Sequence, residues 1–506
     1  MRVLFATSEI YPLVKTGGLA DVAAGLSNAL QQLNHEVSVI LPAYLDVMEE
    51  LESVYEVARF SVPSFGVERR VRILRAESAS GVNLLLVDIP GLFDRAGNPY
   101  QDESGDDWWD NGERFGLFSH VVAQVALNQA KLDFAPDVVH CNDWQTGLVP
   151  VFMRMLSPDS PGPRSIFTIH NLSYAGKFAH SLFAGLALPD AWWNPEMLEF
   201  YGDLSMLKGG IIFSDHVTTV SPTYAVEICT PARGFGFEGV LQQRAAKGDL
   251  SGILNGIDTA VWNPARDPYI AYPYSVEKGR VAQKKRNKQH LLHAFAPAMA
   301  QIDMNAPLLG SVGRMVEQKG ADLLLKSIPT LVAETNANFV ILGSGERTYE
   351  EGFTALAQRY PERVFVRIGY AEDLAHQIEA GADMFLMPSR FEPCGLNQMY
   401  SLAYGTLPIV HATGGLRDTV VDASPEAIAA GSATGFVMQE ATVAELNRCG
   451  KYALEVYHKP RTWQKLQRNA MLQDFGWQRS AAAYVDIYQD SGAHHKIPSS
   501  ETTRSI

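Results

Sequence analysis

The sequence predicts an α/β protein of two Rossmann-like, doubly wound domains. Three observations support that. Short apolar runs alternate along the whole chain with longer stretches of helical period, the pattern of parallel strands joined by crossover helices. The series stops and restarts near Ser251. A glycine turn entering a helix occurs once in each half, at Thr16-Gly17-Gly18-Leu19 and at Thr413-Gly414-Gly415-Leu416.

In the first half, Val3 to Ala6 reads as a strand, Lys15-Thr16-Gly17-Gly18 as a loop, and Leu19, Val22, Leu26, Leu30 and Leu33 as one helical face. Asn34 is its stop and Val37 to Leu41 the next strand, which completes a βαβ unit. Further strands are expected at Leu84–Val87, Val138–His140, Ile166–Ile169 and Val217–Val220. The second series runs through Leu308–Val312, Phe339–Leu342, Val364–Ile368, Met384–Met387, Leu407–Val410 and Gly435–Val437. Leu396, Met399, Tyr400 and Ala403 mark a helix that Gly405 should end. The expected boundaries are residues 1–251 for the first domain and 252–460 for the second. A helical run over 461–490 and a polar, disordered tail over 491–506 follow.

At 506 residues the chain exceeds one ordinary core. The formal charge of −14 argues against nucleic acid or an anionic membrane as the main partner. Any anionic ligand must then be held by gathered cations and backbone N–H groups. The four cysteines lack a CxxC pair, so no zinc site or disulfide framework is indicated, and the chain reads as cytoplasmic. No run approaches the roughly 18 apolar residues of a membrane span. No metal or cofactor is expected.

The stretch SRFEPCGL at 389–396, followed by TGGLRDTV at 413–420 and preceded by KTGGL at 15–19, resembles the bacterial glycogen synthases and plant starch synthases. These are retaining glycosyltransferases built from two Rossmann domains facing each other across a cleft. The resemblance runs from Met1 to about Asp490. It implies transfer of glucose from ADP-glucose to the non-reducing end of an α-1,4-glucan. It also implies that the 461–490 helix crosses back onto the first domain.

The resemblance implies roles residue by residue. Arg314 and Lys319, after the Leu308–Val312 strand, would hold the donor diphosphate. Glu392 would lie near the reacting centre, and His170 would bind a sugar hydroxyl. Lys15, Gly17, Gly18, Asn255, Cys394, Gly395, Leu396, Thr413, Gly414 and Gly415 would complete the donor site. Asp143, Asn171 and Tyr100 would lie on the sugar and acceptor side. Because Lys15 and Arg314/Lys319 fall on different domains, the implied site lies in the cleft. Trp108-Trp109 and Trp192-Trp193 are further candidate platforms for sugar rings. The blander readings are a surface lysine for Lys15, a helix cap for Glu392 and ordinary packing for each aromatic.

Two alternatives belong to other classes of substrate or role: a transferase using UDP-glucose or a small acceptor, and a catalytically silent glucan-binding homologue. The second would be expected to lack Arg314, Lys319 or Glu392. A dinucleotide-dependent oxidoreductase is disfavoured, because Gly343-Ser344-Gly345 lacks the third glycine of GxGxxG.

Overall fold

The computed structural model describes residues 1–160, 162–276, 281–295 and 303–490. The chain forms two compact units, Met1–Gly256 together with the residues from Trp477 on, and Ile257–Gly476. The expected tail, 491–506, lies outside the described residues.

The first unit contains strands β1 (Arg2–Ala6), β2 (Glu36–Pro42), β3 (Tyr55–Ser64), β4 (Val67–Glu77), β5 (Asn83–Asp88), β6 (Val138–Asn142) and β7 (Arg164–Ile169). A small separate sheet comprises β8 (Lys177–Phe178), β9 (Glu199–Phe200) and β10 (Asp203–Ser205), and β11 (His216–Thr219) and β12 (Leu250–Gly252) follow. The main sheet has nine strands in the order β12-β11-β7-β6-β1-β2-β5-β4-β3. Its β12-to-β5 portion is parallel, and β4 and β3 add an antiparallel hairpin at one edge. Strand order reverses between β1 and β6, the position where open α/β sheets bind ligands at the strands' carboxyl ends. Val3, Leu4, Phe5 and Ala6 of β1 are fully buried, as a central parallel strand requires.

The β3–β4 hairpin has no counterpart in the sequence reading. Its two-residue turn is Phe65-Gly66, with φ of 48° and 73°, the double positive φ of a type I′ turn.

The second unit is one parallel sheet of six strands: β13 (Leu308–Val312), β14 (Asn338–Gly343), β15 (Val364–Ile368), β16 (Met384–Met387), β17 (Leu407–His411) and β18 (Phe436–Met438). The order is β15-β14-β13-β16-β17-β18, so it reverses between β13 and β16. All six expected strands are present. Gly405 ends the Asn397–Tyr404 helix in the left-handed conformation, φ 66°.

Two boundaries differ from expectation. The expected boundary at 251/252 cuts through Leu250–Gly252, which is the edge strand of the first sheet, paired with β11. The division between the units falls at Gly256/Ile257. The 461–490 run is also two helices rather than one. Trp463, Leu466 and Ala470 of the Pro460–Met471 helix join the second unit's core. The Trp477–Gln489 helix belongs to the first unit. Its Trp477 indole lies against Gly25 of the Gly18–Gln32 helix, where an added Cβ would be 2.0 Å from Nε1. Its Tyr488 hydroxyl lies 2.7 Å from His140 Nδ1.

Candidate functional site

In the first unit the site forms where β1, β6 and β7 end. Beyond β1 the chain turns back so that Glu9, 3% exposed, faces the KTGG loop. Glu9 Oε2 accepts from the N–H groups of Thr16 (2.6 Å) and Gly17 (3.1 Å). Oε1 accepts from the hydroxyls of Thr16 (2.6 Å) and Tyr100 (2.5 Å). Gly17 is the N-cap of the Gly18–Gln32 helix, in extended backbone, and a Cβ there would meet nothing within 4 Å. Lys15 points elsewhere, to Asp21 at 2.9 Å, and lies over the Tyr11 ring.

Tyr100, expected on the sugar and acceptor side, is anchored through its hydroxyl. Its hydroxyl is bonded to Glu9 and Ser8, and its ring packs on Phe115. Burial and the neighbouring Glu9 carboxylate hold that hydroxyl well above its ordinary pKa. Trp108 donates its indole N–H to Asn98 and is packed between Arg95 and Arg114, whereas Trp109 is 86% exposed. Trp192 packs on Phe213, and Trp193 on His180 and Phe183.

Asp143 follows β6 with φ 55°, a strained value for a residue with a side chain. Its Oδ1 accepts from the backbone N–H of His170 (2.7 Å) and, more loosely, of Asn171 (3.4 Å), which ties the end of β6 to that of β7. Burial pushes the Asp143 carboxyl up to about 7 against the pull of those N–H groups. His170 Nε2 lies 2.9 Å from Asn142 Oδ1, and Asn142 Nδ2 donates to Ala6 and His140 carbonyls. Asn142 therefore presents an acceptor, and His170 must donate through Nε2. Burial lowers the imidazole to about 3, so it is neutral with Nδ1 as its acceptor face. Asn171 Oδ1 is occupied by the N–H and hydroxyl of Ser173. Asn255 is buried, and its Oδ1 has no hydrogen-bond partner among the described residues.

In the second unit the equivalent place is the carboxyl ends of β13 and β16. Gly313 leaves β13 with φ 149°, and Arg314 is exposed, its guanidinium 3.3 Å from the Gln318 amide oxygen. Lys319 Nζ binds both oxygens of Glu392, at 2.9 and 2.6 Å. Glu392, 5% exposed, also accepts from Ser389 Oγ at 3.0 Å. Glu392 is thus half of an ion pair rather than a helix cap. Arg390 fixes the two loops to each other: its guanidinium grips Asp322 in bidentate fashion (2.7 and 2.9 Å) and reaches the Glu317 carbonyl. Asn397 Nδ2 donates to the Val312 carbonyl at 2.7 Å, joining the helix start to the end of β13.

The glycines of the second TGGL turn are packed rather than open. A Cβ on Gly414 would lie 2.0 Å from the Glu392 carbonyl oxygen, and one on Gly415 2.1 Å from that of Cys394. The Gly415 N–H is shared between the Glu392 and Pro393 carbonyls, both at 3.2 Å. Thr413 is the N-cap of the short Gly414–Thr419 helix. Cys394 is buried but precedes the Asn397–Tyr404 helix, whose N-cap is Leu396. Gly395 turns between them with φ 71°.

Sequence reasoning missed Glu9, Asn142, Ser389 and the Arg390–Asp322 pair. Arg390 stands inside the SRFEPCGL stretch, so its signal was present. Glu9 had none, since its partners are two backbone N–H groups, a threonine hydroxyl and a distant tyrosine. Among the described residues no His/Cys/Asp/Glu group is arranged to hold a metal ion, and no helix is long and apolar enough to cross a membrane.

Two α/β units, each gathering polar side chains where its strand order reverses, make a two-domain protein of the Rossmann type. Residues 2–243 match the family model described as the starch synthase catalytic domain, and residues 295–470 that of glycosyl transferases group 1. The chain is 53% identical over 492 residues to a glycogen synthase of Hydrogenovibrio crunogenus, covering 97% of this chain and 99% of that one. It is 51% identical over 491 residues to a glycogen synthase of Thioalkalivibrio sulfidiphilus, with 97% and 99% covered. The catalytic domain of Arabidopsis thaliana starch synthase IV, solved bound to ADP and acarbose, superposes with a TM-score of 0.85 at 32% identity over 96% of this chain and 98% of that one. The chain belongs to the glycogen and starch synthase family of glucosyltransferases.

Proposed function

We propose that the protein elongates an α-1,4-glucan by transferring glucose from ADP-glucose to its non-reducing end with retention of configuration, in the cytoplasm. The observation that carries this reading is the Lys319–Glu392 pair at the carboxyl ends of β13 and β16, with Arg314 exposed just after β13. As the glucose–phosphate bond breaks, its electron pair goes to the diphosphate. Two cations at that place stabilise the growing negative charge. Glu392 orients the ammonium of Lys319 and offers a carboxylate toward the positive charge that develops at the anomeric carbon. Lys15, Gly17, Gly18 and Asn255, with Thr413 to Gly415 and Cys394 to Leu396, serve the donor. In the first unit, neutral His170 offers Nδ1 to a sugar hydroxyl, and Asp143 and Asn171 hold that loop. The acceptor hydroxyl attacks the anomeric carbon and passes its proton to the departing diphosphate oxygen.

Support comes from the near full-length similarity to glycogen synthases and from the ADP and acarbose bound by the Arabidopsis domain. The test is incubation with labelled ADP-glucose or UDP-glucose plus glycogen. Label entering polymer from ADP-glucose is the expected result. Label entering only from UDP-glucose, or only a small product, would overturn the donor or the acceptor assignment.

A further inference from the structure

We propose that Glu9 is a positioning residue of the first unit's site, its carboxylate fixing the Lys15–Gly18 turn and the Tyr100 loop together at the end of β1. The inference rests on the donor-binding reading of that turn. Both Glu9 oxygens are saturated. Oε2 takes two successive backbone N–H groups, of Thr16 and Gly17. Oε1 takes the hydroxyls of Thr16 and of Tyr100, which lies 91 positions away in sequence. Ser8 Oγ, 2.8 Å from the Tyr100 oxygen, extends the chain of bonds. Glu9 itself is held by Thr7, whose hydroxyl donates to the Glu9 carbonyl at 2.9 Å.

Two of the four groups that meet Glu9 are backbone N–H donors and two are hydroxyls that can turn, so the site calls for a planar side chain with an oxygen toward the turn, and a carboxylate accepts from all four. Its partners are neutral, so its desolvation is offset by hydrogen bonds rather than by a cation. A carboxylate kept in that setting orders the turn that carries Lys15, while Lys15 itself stays directed away, toward Asp21. A Cβ at Gly17 would meet no atom of the protein within 4 Å, so the surface that Glu9 steadies is open. Glu9 also acts at a distance on a second residue of the site, since its charge helps raise the Asp143 carboxyl.

The experiment is steady-state kinetics with ADP-glucose and glycogen on Glu9→Ala, Glu9→Gln, Lys15→Ala and the Glu9→Ala/Lys15→Ala double variant, with melting temperatures alongside. Glutamine can keep the arrangement: its carbonyl serves the two backbone N–H groups, and its amide N–H groups face hydroxyls that can turn to accept. Glu9→Ala should raise donor KM by at least about tenfold, the loss of several hydrogen bonds to a charged group, with a smaller change in kcat. Glu9→Gln should restore most of that. The double variant should be little worse than the poorer single one, because both act through one turn. Unchanged donor KM in Glu9→Ala, no rescue by glutamine, or additive effects would overturn the positioning role. A silent Lys15→Ala would instead overturn the donor reading of the turn. Should Glu9→Ala fail to fold, Thr16→Val removes one hydroxyl partner only. It should raise donor KM by about threefold, and an unchanged KM would sink the proposal.

Discussion

The phrase Thr-Gly-Gly-Leu-x-Asp occurs in both units, at Thr16–Asp21 and at Thr413–Asp418, and the two copies do different physical work. In the first unit the turn's N–H groups are held by a carboxylate, and Gly17 faces open space. In the second unit a backbone carbonyl pair takes the Gly415 N–H, and both glycines are pressed against the Glu392–Cys394 backbone. The acids differ too: Glu9 has four neutral partners, whereas Glu392 is paired with Lys319. The first copy keeps Gly17 open, and the second uses both glycines for close packing of two loops. An identical string therefore does not carry an identical reason for its glycines.

The sharpest way to break that contrast is to add one methyl group to each turn. Gly415→Ala must push apart two backbone segments that approach to 2.1 Å of the new atom. It should cost about 3 kcal/mol or more, or prevent folding. Gly17→Ala should shift stability by no more than about 0.5 kcal/mol, because its φ of −154° suits any residue, while activity falls. Thermal melts of both variants decide it, and equal destabilisation would erase the distinction. The acids come next. Lys319→Ala should lower kcat at least about tenfold, since a charge-assisted contact is worth about 1.5–3 kcal/mol. Glu392→Gln should lose most turnover while the protein stays folded. Steady-state kinetics in which only donor KM moves would reduce both residues to docking contacts.

The ease with which each region could be read in advance follows the same division. Strands β14, β16 and β17 of the second unit are buried along all or nearly all of their length, so they appear as apolar runs. The β3–β4 hairpin has a solvated side, with Arg69, Arg70, Arg72 and Arg75 set among its apolar residues, and no such run exists. Leu250–Gly252 is too short to announce which sheet it joins. At the site, Arg314, Lys319 and Glu392 stand in recognisable strings, but their pairing does not. Lys319 and Glu392 are 73 positions apart, and Arg390 and Asp322 are 68 apart. Glu9 was illegible for a further reason: three of its four bonds go to Thr16 and Gly17, and two of those are to main-chain groups common to every residue.

The last helix offers a smaller test of the first unit. Tyr488 donates to or accepts from His140 Nδ1, and His140 Nε2 continues to Thr168 and Thr218 across β6, β7 and β11. Tyr488→Phe strands a buried ring nitrogen and should cost about 1–3 kcal/mol. An unchanged melting curve would show that the network is idle.

Acid should act on the two units with opposite sign. In the first, burial lowers His120 to about 4 and His140 to about 3, against an ordinary 6.5. The unfolded chain then binds more protons below pH 6.5. Stability that is fully present above that value is lost as pH falls toward 4 and 3, by about 1 kcal/mol per histidine between pH 6.5 and 5.5. Asp143, raised by burial to about 7, has the opposite sign and offsets about one histidine's share, whereas His170 and His216, lowered to about 3 and 4, add to the loss. In the second unit burial pushes Glu379 up to about 8 from 4.5, so between those values the folded state holds the extra proton. Stability from that group rises as pH falls through the same window. Neighbouring Lys284, lowered by burial to about 7, is mostly protonated in both states below pH 6.5 and adds little slope there. Hydrogen–deuterium exchange at pH 6.5 and 5.5, corrected for intrinsic rates, reads the two sheets separately. Protection of β6 and β7 should fall while that of β13 and β16 holds or rises. His120→Phe, which keeps the stack on Phe152 at 4.5 Å without a titrating ring, should remove one histidine's share of the loss. Parallel loss in both sheets would mean that these buried groups do not set the acid response.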